Sequence, residues 1–351
     1  MPARPPERSR GYPRSVRSLL VLPLLLAGCP PGDATTPDPT PPPPVRLRVM
    51  TFNGGTTQGL AHDAPPDDGY TQEMADLADS TYENSLSWNP AEAALTSFLE
   101  EVRPDVVVFQ EIFWDGWCDA IDADPNLDFV CRDASAERPL QVQRLLGPDY
   151  DTACAPGQPD NCAGVRRDAL RFADCDGHCQ EGMDGMGPPS GCNSSARVSD
   201  ATLVTPDGAE LVLVNVHGTS GLSAEDRACR VDQFAQVFED RGDGRPAAHG
   251  AANLVMGDLN TDPFAFPTEA SAAKWSEWVG DGKPFHYVSP GDPDGPATYQ
   301  GGLRIDHIAS DVLLTEDCFV AGSTPGVAPV LDAVYWDHRP VVCDVLWSPA
   351  D

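Results

Sequence analysis

The sequence predicts an α/β fold, of the α+β kind if its strands form two packed sheets. Three observations carry this reading. Apolar runs of strand length alternate with amphipathic runs of helix length between Val45 and Trp347. No segment repeats another. Several strand-like runs stop abruptly at Asp, Glu, Asn or His, so polar side chains gather at strand ends.

The elements follow in order. Arg46-Leu47-Arg48-Val49-Met50-Thr51-Phe52 alternates and opens the domain. Asn89 is expected to N-cap a helix, with Pro90 at its first position and Glu92 completing a capping box. Ala93, Ala94, Leu95, Phe98, Leu99 and Val102 give it one apolar face, and Pro104 ends it. Asp105-Val106-Val107-Val108-Phe109 is a short buried strand. Residues 201–205 and 210–216 form a hairpin about Pro206-Asp207-Gly208. Ser223 begins a helix to about Glu239, with Cys229, Phe234, Val237 and Phe238 inward. Asn253-Leu254-Val255-Met256 is another buried strand, and residues 303–308 and 339–346 are the last two.

Residues 1–28 read as an address. Arg4, Arg8, Arg10, Arg14 and Arg17 precede an apolar run from Leu19 to Ala27 that is too short to span a bilayer and is broken by Pro23. Leu26-Ala27-Gly28-Cys29 resembles a bacterial lipobox, which implies acylation of Cys29 and attachment to a membrane. Pro30, rather than Asp, after the cysteine leans toward the outer membrane. Residues 29–44 are mostly Pro, Thr and Asp, a composition that favours an extended tether. One domain, residues 45–349, is expected beyond it.

The chain holds 23 basic and 54 acidic residues, a net charge of −31. Such a surface repels polyanions and argues against loose binding of nucleic acid by a broad basic face. Ten cysteines follow Cys29. In an exported chain an even number reads as disulfides. Six of them fall between Cys118 and Cys179, in a Gly/Pro/Asp-rich stretch of weak periodicity, and Cys318 is expected to pair with Cys343 because both lie on or beside the last strands. Cys175-Asp176-Gly177-His178-Cys179 lacks the second ligand pair that a zinc site needs, and so joins the disulfide set.

The chemistry resides in the strand ends. Phe52 is followed by Asn53, Phe109 by Gln110-Glu111, Val216 by His217, Met256 by Gly257-Asp258-Leu259-Asn260, Ile305 by Asp306-His307, and Trp336 by Asp337-His338. Singly, each is an ordinary loop residue. Together they supply carboxylates for a hard cation, amides that orient oxygens, and histidines for proton transfer.

These motifs resemble those of the endonuclease/exonuclease/phosphatase superfamily, the deoxyribonuclease-I-like fold. The match runs through Thr51-Phe52-Asn53, Pro104 to Glu111, Asn215-Val216-His217, Gly257-Asp258-Leu259-Asn260, Arg304-Ile305-Asp306-His307 and Asp337-His338-Arg339-Pro340. The resemblance implies a four-layer sandwich, two mixed sheets face to face with helices outside, here with a disulfide-rich insertion at about residues 113–196. It implies that Glu111, Asn53 and Asp337 hold Mg²⁺, or Mn²⁺ or Ca²⁺. Asp258 and Asn260 would orient the nucleophilic water and the phosphoryl oxygens. His338 would be the general base or stabilise the transition state, with Asp306 fixing its tautomer. His217 would bind a phosphate oxygen or protonate the leaving group.

The implied activity is divalent-metal-dependent phosphodiester hydrolysis by a monomer outside the cytoplasm. Extracellular nuclease and sphingomyelinase-like lipid phosphodiesterase stand level, with a phosphomonoesterase or a non-catalytic binding lipoprotein as alternatives. A nuclease would draw its phosphate contacts from Arg166, Arg167, Arg171 and Arg197. Trp114, Trp117, Trp275, Trp278 and Trp336 are candidates for contact with a base or a lipid headgroup, or for the core.

Overall fold

A computed structural model describes residues 44–55, 85–120, 129–192, 197–242, 244–330 and 336–349. The signal segment, Cys29 and the tether up to residue 43 lie outside the described residues. The first sheet contains β1 (Val45–Asn53), β2 (Val106–Gln110), β3 (Tyr150–Ala155) and β4 (Gln158–Arg166). The second begins with β5 (Arg171–Phe172). The first is extended by β6 (His178–Cys179), and β7 (Asp184–Gly185) lies beside the second. The second continues through β8 (Val198–Val204), β9 (Glu210–His217), β10 (Asn253–Asp258), β11 (His286–Tyr287) and β12 (Asp306–Ser310). The chain returns to the first in β13 (Leu314–Val320) and β14 (Val341–Trp347). The strand orders are β13-β14-β1-β2-β4-β3-β6 and β11-β12-β10-β9-β8-β5, with β7 pairing β8.

Alternation along each strand builds the layers, because successive side chains point to opposite faces. Val49, Val106 and Val108 point inward to a core shared with Leu203, Leu213, Leu254, Met256 and Ile308 of the other sheet. Their neighbours Met50, Val107 and Phe109 point outward, against Leu95, Leu99, Val102, Val142 and Leu145 of α1 (Asn89–Val102) and α2 (Gln141–Leu146). On the far side Val212, Val214, Val216 and Val255 pack against Phe234, Val237, Phe238 and Trp275 of α3 (Ala224–Phe238) and α4 (Ala270–Ser276). The result is the expected helix–sheet–sheet–helix sandwich. Among the described residues no helix is long and apolar enough to cross a membrane.

Three expectations shift. Helix α1 is capped by Trp88, not Asn89, with no side-chain cap bond. The Asn89 amide instead donates to Asp133 at 2.9 Å, and Glu92 is taken by Arg144 through two bonds of 2.6 and 2.7 Å. A bidentate ion pair between helices outcompetes a local capping box here. Helix α3 begins at Ser223 as expected, and Ser223 closes a capping box with Asp226. Residues 303–305 are not strand: Leu303 turns back on Tyr299 and β12 starts at Asp306.

The stretch 113–196 holds three disulfides, Cys118–Cys131, Cys154–Cys162 and Cys175–Cys179. It also contributes β4 and β3 to the first sheet, on the far side of β2 from β1. Its periodicity is weak because nearly every residue of these strands is buried, on both faces. Cys192–Cys229 and the expected Cys318–Cys343 complete the set, the latter joining paired positions on β13 and β14.

Candidate active site

Strand direction explains why the polar strand ends meet. β1 runs parallel to β2, so Asn53 registers with Gln110 and Glu111 follows it at the same edge. β9 runs parallel to β10, which registers His217 with Asp258. β12 is antiparallel to β10, so its first residue, Asp306, stands opposite Asp258. β14 is antiparallel to β1, with Val341 opposite Thr51, so His338 projects past the end of β1. Asp306 is therefore a strand start, not the strand end that the run of residues suggested.

Side-chain bonds join the two sheets along this edge. Asn53 Nδ2 donates to Asp258 Oδ2 at 3.0 Å, and Gln110 Nε2 donates to Asn215 Oδ1 at 2.7 Å. Asp258 accepts from the Asn260 backbone N–H at 2.7 Å and from its side-chain amide at 3.1 Å. His338 Nδ1 lies 3.1 and 3.0 Å from the two oxygens of Asp306, and its Nε2 lies 3.8 Å from Asp258 Oδ2. His217 Nε2 lies 3.2 Å from Glu111 Oε1, and Arg197 donates toward His217 Nδ1 at 3.3 Å. Asp258, Asp306, His217 and His338 are all buried, while Glu111 is partly open.

The backbone carries strain at the same place. Glu111 and Asn260 have φ of 55° and 48°, the left-handed region that non-glycine residues avoid at a cost of about 1–3 kcal/mol each. Gly257 has φ 151°, and a Cβ there would fall 1.9 Å from the Val216 carbonyl oxygen, so only glycine allows β10 to lie this close to β9 before Asp258.

Electrostatics follow from crowding carboxylates out of water. Burial pushes the carboxyl of Asp258 up, and nearby Asp306 adds to this. Burial, then the charge of Glu111, lifts Asp337 to about 6 despite the opposing pull of His338. For His338 burial would lower the pKa, but Asp306, Asp258 and Asp337 overcome it and raise it to about 10. An excess of buried carboxylates at one edge suits a hard divalent cation. Two donor sets offer themselves. Asp258, Asp306 and His338 place one ligand atom each within 4.8 Å of one another. The oxygens of that set already receive Asn53, Asn260 and His338. Of the set expected from the sequence, Glu111 raises the pKa of Asp337 by its charge, the kind of effect a cation relieves, while Asn53 turns its amide to Asp258 and its oxygen to the Gly55 N–H.

Two residues escaped the sequence reading. Thr298 Oγ1 accepts from the backbone N–H groups of Ile305 and Asp306 at 3.0 and 3.1 Å, while its carbonyl accepts from Arg339 at 2.7 Å. Tyr299 pairs with His338 through the backbone and sets its ring edge-on to the imidazole, centroids 4.8 Å apart. The Gly301-Gly302 turn that returns the chain to Leu303 was the available signal. Of the four candidate arginines only Arg197 reaches the site. Arg166 pairs with Asp105 and Arg167 with Asp151, both at the opposite edge, because β4 runs antiparallel to β2. Arg171 registers with Val204, also far from the site. Trp117 and Trp275 are core, Trp278 stacks on Phe238, and Trp336 packs against Phe52 beside the site.

Two face-to-face sheets with acid–histidine pairs at one edge are the fold and edge of a family whose members are generally phosphoester-cleaving hydrolases. The chain belongs to the Endonuclease/Exonuclease/phosphatase family, whose model matches residues 77–350. A family protein from Bacteroides thetaiotaomicron is 15% identical, with a TM-score of 0.51 over 87% of this chain and 99% of that one. Humanized D. rerio TDP2 is 13% identical, with a TM-score of 0.49 over 86% and 98%. The human Nocturnin catalytic domain is 15% identical, with a TM-score of 0.46 over 86% and 93%. Identities this low show the fold alone. No curated protein matches the chain significantly.

Proposed function

We propose that the protein is a divalent-metal-dependent phosphodiesterase acting outside the cytoplasm, anchored to a membrane through Cys29. The observation that carries the reaction is that one edge holds two separate acid–histidine pairs, Glu111–His217 and Asp306–His338, on either side of Asp258. A diester needs the charge that develops on its phosphoryl oxygens stabilised and a proton delivered to the leaving oxygen, and two imidazoles divide those tasks. Five disulfides support export, since such bonds persist in oxidising compartments.

Asp306 fixes His338 with Nδ1–H inward, so Nε2 is the exchanging atom at the site. With its pKa near 10 His338 is an imidazolium at neutral pH, suited to stabilise charge developing on the phosphoryl oxygens. Asp258, steadied by Asn53 and Asn260 and with its pKa raised by burial, orients the attacking water and takes its proton as the new P–O bond forms. His217, set against Glu111, carries the proton for the leaving oxygen. Glu111, Asp337 and Asn53 would hold Mg²⁺, Mn²⁺ or Ca²⁺, which supplies charge neutralisation and water activation when bound.

The test is an assay of the purified protein with bis(p-nitrophenyl) phosphate, p-nitrophenyl phosphate, plasmid DNA, RNA and sphingomyelin vesicles, each with Mg²⁺, Mn²⁺ and Ca²⁺. Metal-dependent cleavage of a diester supports the reading. Cleavage of the monoester alone makes it a phosphomonoesterase, and cleavage of nothing makes it a binding lipoprotein.

A further inference from the structure

Among the described residues three large apolar side chains stand in water, Leu222, Phe266 and Leu314. Two of them sit at the catalytic edge. Leu222 is on the loop that leaves β9 after His217, and Phe266 is on the loop that follows Asp258-Leu259-Asn260. Leu222 is 81% exposed and Phe266 is 56% exposed. The tips read Ser220-Gly221-Leu222-Ser223 and Ala265-Phe266-Pro267-Thr268, uncharged in a chain of net charge −31.

Neither loop is loosely held. Buried Arg230 donates to the carbonyls of Thr219 and Gly221 at 2.6 and 2.9 Å, and to Ser271 Oγ at 3.3 Å, tying the first loop to the helix behind the second. Gln233 holds Thr219 through a backbone and a side-chain bond, at 2.9 and 2.7 Å. Asp262 accepts from the N–H groups of Phe264 and Ala265, both at 2.9 Å. Asn260 donates to the Gly218 carbonyl at 2.9 Å and so joins the first loop to the site itself. Buried polar clamps thus fix the backbone beneath two side chains that a slacker loop would turn inward. Single exposed hydrophobes need no explanation, but here two stand on the loops that follow neighbouring strands β9 and β10, joined through Arg230 at the edge that carries His217 and Asp258.

We propose that Leu222 and Phe266 seat the catalytic edge on a zwitterionic phospholipid surface, so that the diester hydrolysed is a lipid headgroup phosphate. This rests on the phosphodiesterase reading. The negative charge of the chain opposes nucleic acid and anionic lipid alike. Three of the four arginines that would have tracked a polyanion are at the other edge. A lipid layer accepts two apolar tips without matching their shape, and burial of each strengthens binding.

Two measurements on the full chain test this. In the first, Leu222→Cys carries an environment-sensitive nitrobenzoxadiazole label, with unsubstituted protein taken through the same labelling as blank, in EDTA. Vesicles of phosphatidylcholine and sphingomyelin should brighten and blue-shift the label, and plasmid DNA should not. No change with vesicles, or a change with DNA instead, would overturn the proposal. In the second, Leu222→Ser combined with Phe266→Ser should lose at least about tenfold in cleavage of vesicle sphingomyelin while cleaving bis(p-nitrophenyl) phosphate at the original rate. Unchanged vesicle cleavage, or an equal loss on both substrates, would overturn it. If the unaltered protein fails on the soluble diester, the phosphodiesterase reading falls, and the label still decides whether the rim binds lipid.

Discussion

Asp306 holds the Nδ1 of His338 with both carboxylate oxygens, at 3.1 and 3.0 Å, although Asp306 opens β12 of the second sheet and His338 precedes β14 of the first. A carboxylate in that position fixes which imidazole nitrogen exchanges protons. Asp306→Asn keeps the shape but lets the amide donate, so the ring can adopt the wrong tautomer. We expect a fall in kcat on the order of 10²–10⁴-fold with an unchanged circular dichroism spectrum. An undiminished kcat would remove Asp306 from the account.

The same pair makes the metal-free protein sensitive to alkali. The pKa of His338 is raised from 6.5 to about 10 in the folded state. A raised histidine contributes stability that is fully present below its unfolded pKa and lost as pH rises through the folded one. The melting temperature in EDTA should therefore decline between about pH 6.5 and 10, and His338→Gln should flatten that part of the curve. A variant with the same slope as the parent would contradict this.

Thr298 is a positioning residue, since it touches the backbones that carry Asp306 and His338 and not the reacting atoms. Thr298→Val leaves the Ile305 and Asp306 N–H groups without their acceptor, and the loss of a buried bond of this kind costs about 1–3 kcal/mol. We expect kcat to fall with little change in KM, and Thr298→Ser, which keeps the hydroxyl, to restore it. A valine variant as active as the serine variant would show that the hydroxyl does nothing.

Much of this edge could be read in the sequence because buried strands are apolar, and a carboxylate or histidine ending such a run is conspicuous. Asn53, Glu111, His217 and Asp258 were legible in that way. Asp306 was found for the wrong reason, because a run of residues does not reveal strand direction. Thr298 and Tyr299 were missed because they act mainly through backbone partners, which leave no pattern of side chains. β3 and β4 were hidden because Gln158-Pro159-Asp160-Asn161-Cys162 reads as loop, and a disulfide and a two-sided core override it. The arginines were misplaced because the edge a residue reaches depends on pairing, which only the fold supplies.

Every cysteine of the domain is paired, so mass spectrometry of the non-reduced protein should find none of these ten free. Cys192–Cys229 closes the longest loop, 37 residues, and ties the start of α3 to the segment before β8. Replacing both cysteines by Ala should lower the unfolding free energy by about 2–4 kcal/mol. Alkylation of several thiols in protein purified from an oxidising compartment would contradict the pairing.

The central claim is that the Glu111 edge is a cation-dependent diester site. The most direct test compares the protein and Glu111→Gln on bis(p-nitrophenyl) phosphate, with Mg²⁺ and with EDTA. The amide keeps the size of the side chain and removes the charge that would bind the cation. We predict loss of nearly all activity in EDTA, recovery on adding Mg²⁺, and a fall of at least about 10²-fold in Glu111→Gln that excess Mg²⁺ only partly restores. Full activity in EDTA, or an unimpaired Glu111→Gln, would contradict the account.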